Sequence, residues 1–199
     1  MDLRFSPGRI ELNKELNALD QFALRFTDML QEAQIPYVIV SGYVAILFGR
    51  NRASEDIDLI VDRMNPDSFT ALWQKVEPQF DCLNAPTAQE AYDDYLMTGL
   101  AIRFAKKGGV IPNIEFKFPK NDLDRWAVAH RMEIRLGSHT LYTSPLESQI
   151  AYKLFLGSEK DIEDAKFLYH LFKERLERSL LEEFVRKLNV KSLFAKYMV

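Results

Sequence analysis

The stretch "SGYVAILFGRNRASEDIDLIVD", Ser41 to Asp62, decides the fold of this chain. Its "DIDLIV" segment alternates acidic and apolar residues, and a period of two is typical of a β-strand with one buried face. Asp56 and Asp58 would project side by side from that strand, while the apolar residues between and after them enter a core. Two ionised carboxylates this close repel each other unless a cation lies between them. The pattern therefore predicts a metal site, and its oxygen ligands suit Mg²⁺ or Mn²⁺.

The residues before the acids favour a ligand that contains phosphate. Ser41 and Gly42 stand where a strand enters a helix, so free backbone N–H groups and the positive end of the helix dipole would face a phosphate. Glycine lets the backbone approach such a group closely. Arg50 and Arg52 would neutralise phosphate charge or stabilise a transition state, although surface solubility explains Arg50 equally well.

The composition is that of an ordinary globular protein, with 47% hydrophobic and 28% charged residues among 199. The net charge of −3 gives no overall attraction to nucleic acid or to an anionic membrane, so a polyanion would need a local basic patch. Cys82 is the only cysteine, which excludes an intramolecular disulfide. The N-terminus lacks a signal-peptide pattern, and no apolar run approaches membrane-spanning length. We therefore expect a cytoplasmic protein that does not contact a membrane.

Strands and helices alternate in the first part of the sequence, and helices alone follow. A helix is predicted from Leu12 to about Gln34, where apolar residues recur at helical spacing. Another is predicted to begin after Ser144, because "SPLE" has the form of a capping box. This order predicts an α/β core with an N-terminal helix at 1–143 and a helical region at 144–199 packed against it. The other predicted elements are strands in "YVIV", "DIDLIV", "LAIRFA" and "NIEFKF", a hairpin of "RMEIRL" and "HTLY", and helices in "NPDSFTALWQKV" and "DLDRWAVAH".

The opening stretch resembles the signature of the polymerase-β-like nucleotidyltransferase superfamily. In that signature a Gly-Gly or Gly-Ser follows one strand, and two aspartates alternate with apolar residues on the next. The finer pattern G-x-x-A-[IL]…R-x-S-x-D-I-D-L resembles the AbiEii-type toxin nucleotidyltransferases and their uncharacterised relatives. The matching residues are Gly42, Ala45, Ile46, Arg52, Ser54, Asp56, Ile57, Asp58 and Leu59. The resemblance implies an α/β (α+β) nucleotidyltransferase fold, with a mixed β-sheet flanked by helices and a helical C-terminal region.

The same resemblance implies site residues beyond the two aspartates. Ser41, Gly42, Arg52 and Ser54 would contact the nucleotide phosphates, although the order Ser-Gly is the reverse of the commoner one and weakens that role for Ser41. A third carboxylate on a later strand would complete the metal site and act as general base. Glu115 in "NIEFKF" is the main candidate and Glu133 in "RMEIRL" a weaker one. The alternative for Glu115 is an exposed acid on a strand.

The segment "YTSPLESQIAYKLFLGSEKDIEDAKFL" resembles a second region of the family, with a lysine on a capped helix and K-D-x-x-D at the start of the next. Lys153 and Lys160 match the lysines, and Asp161 and Asp164 match the acids. A lysine that projects into the cleft would contact the triphosphate as a point charge. Asp161 would be catalytic or would orient that lysine, or it would only favour the start of its helix.

The function that this resemblance implies is Mg²⁺- or Mn²⁺-dependent transfer of a nucleoside monophosphate from an NTP to a hydroxyl group. Asp56, Asp58 and Glu115 would be both the metal ligands and the catalytic residues. The acceptor would be RNA such as tRNA, a protein side chain or a small molecule. From Lys166 onward eight Lys/Arg oppose four Glu, which would anchor RNA or merely form a solvated helix face.

Two other functions remain open at the level of sequence. A catalytically silent nucleotidyltransferase fold would bind a nucleotide or a partner protein, such as an antitoxin in a toxin–antitoxin assembly. A hydrolase that uses the same acids is disfavoured, because the three histidines are scattered along the chain and form no cluster.

Overall fold

The structure of the protein, a computed structural model, describes residues 2–198. Within that range nine strands form one mixed sheet. The strands are β1 (Asp2–Ser6), β2 (Arg9–Asn13), β3 (Tyr37–Val40), β4 (Asp56–Val61), β5 (Phe80–Cys82), β6 (Ile102–Lys106), β7 (Asn113–Lys117), β8 (Met132–Leu136) and β9 (His139–Thr143). Their order across the sheet is β1-β2-β8-β9-β3-β4-β7-β6-β5.

Helices lie in the other connections, but β1–β2, β6–β7 and β8–β9 are joined without a helix, and four helices follow β9 in the described residues. The fourth helix continues directly as a π-helical turn at Ala91–Leu96. The helices are α1 (Ala18–Glu32), α2 (Gly42–Leu47), α3 (Pro66–Val76), α4 (Ala88–Glu90), α5 (Asp122–Ala129), α6 (Leu146–Leu156), α7 (Glu159–Phe172), α8 (Arg178–Lys187) and α9 (Lys191–Tyr197). None of the helices between residues 2 and 198 combines the length and the apolar character needed to cross a membrane.

The two faces of the sheet differ at its centre. On one face, the apolar residues of β4 and β7 pack under α1, whose Phe26 contacts Phe104 and Phe116. On the other face, α5 covers a small apolar group near the end of β4, in which Ala127 and Val128 pack against Val38 and Ile60. The remainder of that second face is free to carry polar side chains, because α5 is only two turns long.

The predicted long N-terminal helix is wrong in its first part. Leu12 and Asn13 instead end β2 of the β1–β2 hairpin, and β2 pairs in parallel with β8. Ile10 and Leu12 are buried on alternate positions of β2, which is the period of a strand. Helix α1 begins only after Asn17, whose side chain accepts a hydrogen bond from the Asp20 N–H in a capping box.

The capping box predicted at Ser144 is also wrong. Helix α6 begins at Leu146, and the Ser144 hydroxyl donates to Gln149 Oε1. Glu147 accepts a hydrogen bond from the backbone N–H of Glu177, so it ties α6 to the start of α8. The other predicted strands, the hairpin and the helices are confirmed. The division of the chain at 143/144 stays a prediction.

Candidate functional site

Three acids, which we call the acid face, lie on one side of the central sheet. Strand β4 carries Asp56 and Asp58, and its parallel neighbour β7 places Glu115 directly beside Asp58 in the strand register. Alternate residues of the same strands point the other way, where Ile57 and Ile114 are fully buried. Asp56 is exposed, and the other two acids are half-buried. The fold therefore places on one surface the acids that the sequence analysis selected from two distant segments.

Two cationic side chains accompany the acid face. The Lys117 ammonium lies 3.1 Å from Asp58 Oδ1, because Lys117 follows Glu115 by two residues on β7 and points to the same side. Arg103 on β6 is in register with Glu115, and its Nη2 lies 3.4 Å from Glu115 Oε1. The carboxylates of Asp58 and Glu115 are therefore neutralised in part by side chains of the sheet itself.

The electrostatics of the acid face favour a proton on Glu115. Burial raises the pKa of the Glu115 carboxyl, and the hydrogen bond and negative charge of Asp58 raise it further. Lys117 and Arg103 act in the opposite direction without reversing the shift. Burial alone would lower the pKa of Lys117, but the charges of Asp58 and Glu115 raise it above its ordinary value. Lys117 is thus an ammonium ion, and Glu115 accepts a proton more readily than an ordinary glutamate does.

The acids fit a hard divalent cation in their chemistry, because carboxylate oxygens are the ligands that Mg²⁺ and Mn²⁺ prefer. Their side chains are not gathered around one point: between residues 2 and 198, no three acidic, histidine or cysteine side chains are grouped so that they could hold one metal ion. Asp56 Oδ1 accepts a hydrogen bond of 3.2 Å from the Ser54 hydroxyl, and Asp58 is paired with Lys117. A cation at Asp58 would therefore compete with an ammonium group.

A cleft of about 320 Å³ opens beside Asp58. It lies between the sheet, the start of α5 and the side of α6, and its walls combine polar groups with an aromatic and aliphatic surface. Its volume is at the lower end of the range for small-molecule sites. The polar lining consists of Ser41, Asp58, Lys117, Lys120, Asn121, Asp124, Ser144, Ser148, Gln149 and the hydroxyl of Tyr152. The cleft thus offers two lysines and several hydroxyl groups next to the acid face.

At the connection between β3 and α2, where a phosphate cradle is predicted, the backbone of Ser41 is bound within the protein. Ser41 has φ 65° and ψ −136°, a backbone conformation that residues other than glycine rarely adopt. Buried Gln149 holds it there: the Ser41 N–H donates to Gln149 Oε1 at 3.3 Å, and Gln149 Nε2 donates to the Ser41 carbonyl at 2.7 Å. The Ser41 N–H is therefore already occupied by the protein.

Gly42 has a different neighbour from the predicted phosphate. A Cβ atom at Gly42 would lie 2.3 Å from Nη2 of Arg52, which is far inside van der Waals contact. The absence of a side chain at Gly42 thus lets the Arg52 guanidinium pack directly on the start of α2. Arg52 is fixed in this position because it forms a two-point ion pair with Asp164, with distances of 3.0 Å and 2.8 Å.

Asp164 is the centre of a second group of charges, which we call the buried ion cluster. Its carboxylate also lies 2.6 Å from Nε of Arg50 and 2.8 Å from the ammonium of Lys153, and both Asp164 and Lys153 are fully buried. Lys153 in turn lies 2.9 Å from Asp161. The members of the cluster are Arg50, Arg52, Lys153, Asp161 and Asp164.

The buried ion cluster lowers the pKa of its acids although burial acts to raise it. For Asp164, hydrogen bonds from Arg52 and Lys153 outweigh desolvation and bring the pKa below its ordinary value. For Asp161, hydrogen bonds from Ser158 and Lys153 have the same result. Both carboxylates are therefore ionised at neutral pH and bound to cations of the protein.

The remaining predicted site residues are distributed over these surroundings. Lys153 does not project into the cleft, because its ammonium is buried between two carboxylates. Asp161 caps α7 together with Ser158, and Lys160 is exposed in the first turn of that helix. Glu133 lies on β8 and forms ion pairs with Arg9 of β2 and with Arg135 of β8. Two strands, β9 and β3, separate β8 from β4, so Glu133 is not part of the acid face.

Three residues around the site were missed by the sequence analysis. Lys117 could have been found, since it lies two residues after Glu115 on a predicted strand and must share its face. Asp164 was matched to the family pattern but given no role, although its spacing from Asp161 places both on one side of a helix. Gln149 carried no signal, because only the folded chain brings α6 against Ser41.

No protein-family model and no curated protein matches the sequence of this chain. Its structure is similar to the crystal structure of an antigenic nucleotidyltransferase-like protein from Paracoccidioides brasiliensis, with a TM-score of 0.54. The two share 17% sequence identity, and the match covers 92% of this chain and 94% of that chain. At this identity the similarity shows the fold alone. The chain has a mixed α/β, nucleotidyltransferase-like fold, and the AbiEii-type assignment stays a prediction.

Proposed function

We propose that the protein is a metal-dependent nucleotidyltransferase that moves a nucleoside monophosphate from an NTP to a hydroxyl group. The observation that carries this proposal is the register of β4 and β7, which sets Asp58 beside Glu115 at the mouth of a cleft with two lysines. A nucleotidyltransferase-like fold supports the class of reaction but not its occurrence.

The chain's own residues would divide the reaction between them. An oxygen of the acceptor hydroxyl forms a bond to the α-phosphorus, and the bond from that phosphorus to the pyrophosphate oxygen breaks. The hydroxyl proton passes to the carboxylate of Glu115, whose raised pKa suits a general base. Lys117 and Lys120, which line the cleft, would attract the phosphates of the NTP.

Asp56 and Asp58 would hold Mg²⁺ or Mn²⁺, with Glu115 beside them. When bound, such an ion supplies positive charge that offsets the charge of the reacting phosphates. Ser54 orients Asp56 through its hydroxyl group, which gives Ser54 a positioning role rather than a contact with phosphate. In this proposal the buried ion cluster, including Arg52, Lys153 and Asp161, supports the loop before β4.

The acceptor is a further part of the proposal. We favour RNA, tRNA included, because basic residues are in excess from Lys166 onward and because α8 and α9 expose most of their charged side chains. A toxin-type protein with a neutralising antitoxin would follow from the AbiEii-type resemblance, and we place it in the cytoplasm, where NTP is available. A protein side chain or a small molecule are the other acceptors.

One observation favours a second candidate function, a catalytically silent member of the fold that binds a nucleotide or a partner protein. Lys117 and Arg103 already neutralise Asp58 and Glu115, and the acids in the described part of the chain do not converge on a single point. Because these two cations already offset the negative charge of the acids, a metal ion would stabilise the site less.

Calorimetric titration of the protein with each NTP, with and without Mg²⁺, tests the proposal without knowledge of the acceptor. The wild type should bind at least one NTP only when Mg²⁺ is present, and Asp58→Asn should lose that binding. Asp62→Asn is the matched control, because Asp62 follows the end of β4 and is exposed. Binding that needs no Mg²⁺ and survives in Asp58→Asn would favour a silent fold that binds a nucleotide. An absence of binding to every NTP would contradict the transferase and would favour a silent fold that binds a partner protein.

A further inference from the structure

We propose that Lys117 is an internal counter-ion of the acid face, which holds Asp58 in the absence of metal and must leave it when a divalent cation binds. This inference rests on the proposed function, because it takes Asp56 and Asp58 as the residues that hold the cation. It adds a residue that neither the sequence pattern nor the fold similarity assigns to the site.

The position of Lys117 is set by the sheet and not by chance contact on the surface. Lys117 lies on β7 in register with Ile60 of β4, two residues beyond the pair Asp58 and Glu115. Its side chain must share the face of the acids, because residues two apart on a strand point the same way. The ammonium lies 3.1 Å from Asp58 Oδ1, and the side chain is only a quarter exposed. A half-buried pair of this kind interacts more strongly than one in open solvent.

The same ammonium also faces the cleft. Lys117 and Asp58 both line the cleft, so the lysine can turn from the carboxylate toward a ligand without a change of backbone. The neighbouring Lys120 lines the cleft as well, but it has no ion pair with Asp58 among the contacts of the described residues. The geometry therefore separates the two lysines: one competes with a cation for Asp58, and the other only adds charge nearby.

The exchange explains how the acid face is stable without metal. Two carboxylates in adjacent register would repel each other if they were not neutralised. Lys117 supplies one positive charge at Asp58, and Arg103 supplies another at Glu115 from a more exposed position. A divalent cation would replace the charge of Lys117 at Asp58, and the released ammonium would be free to contact a phosphate in the cleft.

Calorimetric titration with Mn²⁺ alone tests the inference. Lys117→Met removes the competing charge and should tighten Mn²⁺ binding about tenfold or more, because a cation next to the site is lost. Lys117→Arg keeps the charge and should stay close to the wild type. Lys120→Met is the matched control for a general change of potential in the cleft, and its Mn²⁺ affinity should change by less than about threefold.

A thermal-unfolding scan with and without Mn²⁺ shows whether each variant is folded. Lys117→Met should be less stable than the wild type without metal and should gain more from Mn²⁺, because its acids repel each other until the cation arrives. In the presence of Mg²⁺, the variant should bind NTP more weakly, since the ammonium is no longer available to the phosphates.

The outcomes distinguish this inference from the proposed function. Unchanged or weaker Mn²⁺ binding by Lys117→Met, or no binding by either protein, would overturn the inference. Mn²⁺ binding by the variant but not by the wild type would also overturn the inference, because it would show that Lys117 does not leave Asp58 when the cation is present. Tighter Mn²⁺ binding without any NTP binding would keep the inference and contradict the proposed function.

Discussion

The acid face and the buried ion cluster are built from the same residue types, but they differ in burial and in balance. In the buried ion cluster, one carboxylate, that of Asp164, is shared by Arg50, Arg52 and Lys153, and solvent has no access to it. On the acid face, the half-buried carboxylates of Asp58 and Glu115 lie beside each other and each has one cation. The first arrangement is a fixed framework, and the second can exchange its partners.

The comparison shows why charged residues near a motif do not all belong to its chemistry. Arg52 and Lys153 match the family pattern as well as Asp58 does, yet their charges are used within the protein. A buried ion pair resists the loss of either partner, since the remaining charge would be left uncompensated. We therefore expect substitutions in the buried ion cluster to affect folding, and substitutions on the acid face to affect binding.

Asp164→Ala should have the largest effect on stability. The substitution leaves the fully buried Lys153 with Asp161 as its partner and removes the two-point pair of Arg52, so the free energy of unfolding should fall by about 3–5 kcal/mol. Chemical denaturation measures this loss. Glu163→Gln, next to it on α7 and exposed to solvent, is the control and should leave stability almost unchanged. A loss of unfolding free energy as small as that of the control would mean that the buried ion cluster does not stabilise the fold.

Gly42→Ala should have the next largest effect, because its Cβ would collide with Arg52. The free energy of unfolding should fall by about 1–3 kcal/mol, as is usual when a tightly packed site is overfilled. A double-mutant cycle with Arg52→Ala separates the causes. In the Arg52→Ala background the same change should be neutral or stabilising, since alanine favours a helix over glycine. Equal losses in both backgrounds would contradict the packing of Arg52 on Gly42.

Ser41→Gly should stabilise the protein by about 1 kcal/mol, because glycine adopts the φ of 65° at Ser41 without strain. The serine hydroxyl makes no capping bond at α2, so little is lost with it. Chemical denaturation measures the gain, and NTP titration shows whether the hydroxyl also contacts phosphate. Lower stability in Ser41→Gly would mean that the hydroxyl makes a stabilising contact in solution.

Glu115→Gln should have a small effect on stability whose sign depends on pH. The folded pKa of Glu115 lies above its ordinary value of 4.5, so its contribution is fully present below that value and is lost as pH rises through the folded pKa. Glutamine stays neutral, and the stability of the variant should therefore gain on that of the wild type as pH rises above the ordinary value of 4.5 and through the folded pKa. Thermal unfolding at several pH values measures the difference.

The contribution of the acids of the buried ion cluster to stability depends on pH in the opposite direction. The folded pKa of Asp164 lies below its ordinary value of 3.8, so its contribution is present above that value and is lost as pH falls through the folded pKa. Wild type and Glu115→Gln should share this loss in acid. A stability difference between the two proteins that does not change with pH would contradict the shift at Glu115.

Local pattern was enough to predict most of the fold. The strand that carries Asp56 and Asp58 follows from its period of two, and the helix after Asn65 follows from its cap and from Pro66. The β1–β2 hairpin was missed because Leu12 fits the helical spacing of the residues after it. Its strand character becomes evident only from the pairing of β2 with β8, which is a contact between distant parts of the chain.

The site was predictable only in part for the same reason. A strand period shows which face Asp58 and Glu115 occupy, but their adjacency depends on the register of two strands far apart in sequence. The burial of Lys153 and the contact of Arg52 with Gly42 depend on how α7 and α6 pack against the loop before β4. Propensity and spacing contain no information about such packing.

Transfer of label from α-³²P-labelled NTPs shows whether the acid face catalyses nucleotidyl transfer. The purified protein is incubated with Mg²⁺, each labelled NTP and, separately, total RNA, total protein or an extract of small molecules. We expect the wild type to label one of these fractions and Asp58→Asn to label none. Asp62→Asn should label the same fraction as the wild type. Equal labelling by Asp58→Asn, or no labelling of any fraction by the wild type, would contradict a nucleotidyltransferase site on the acid face.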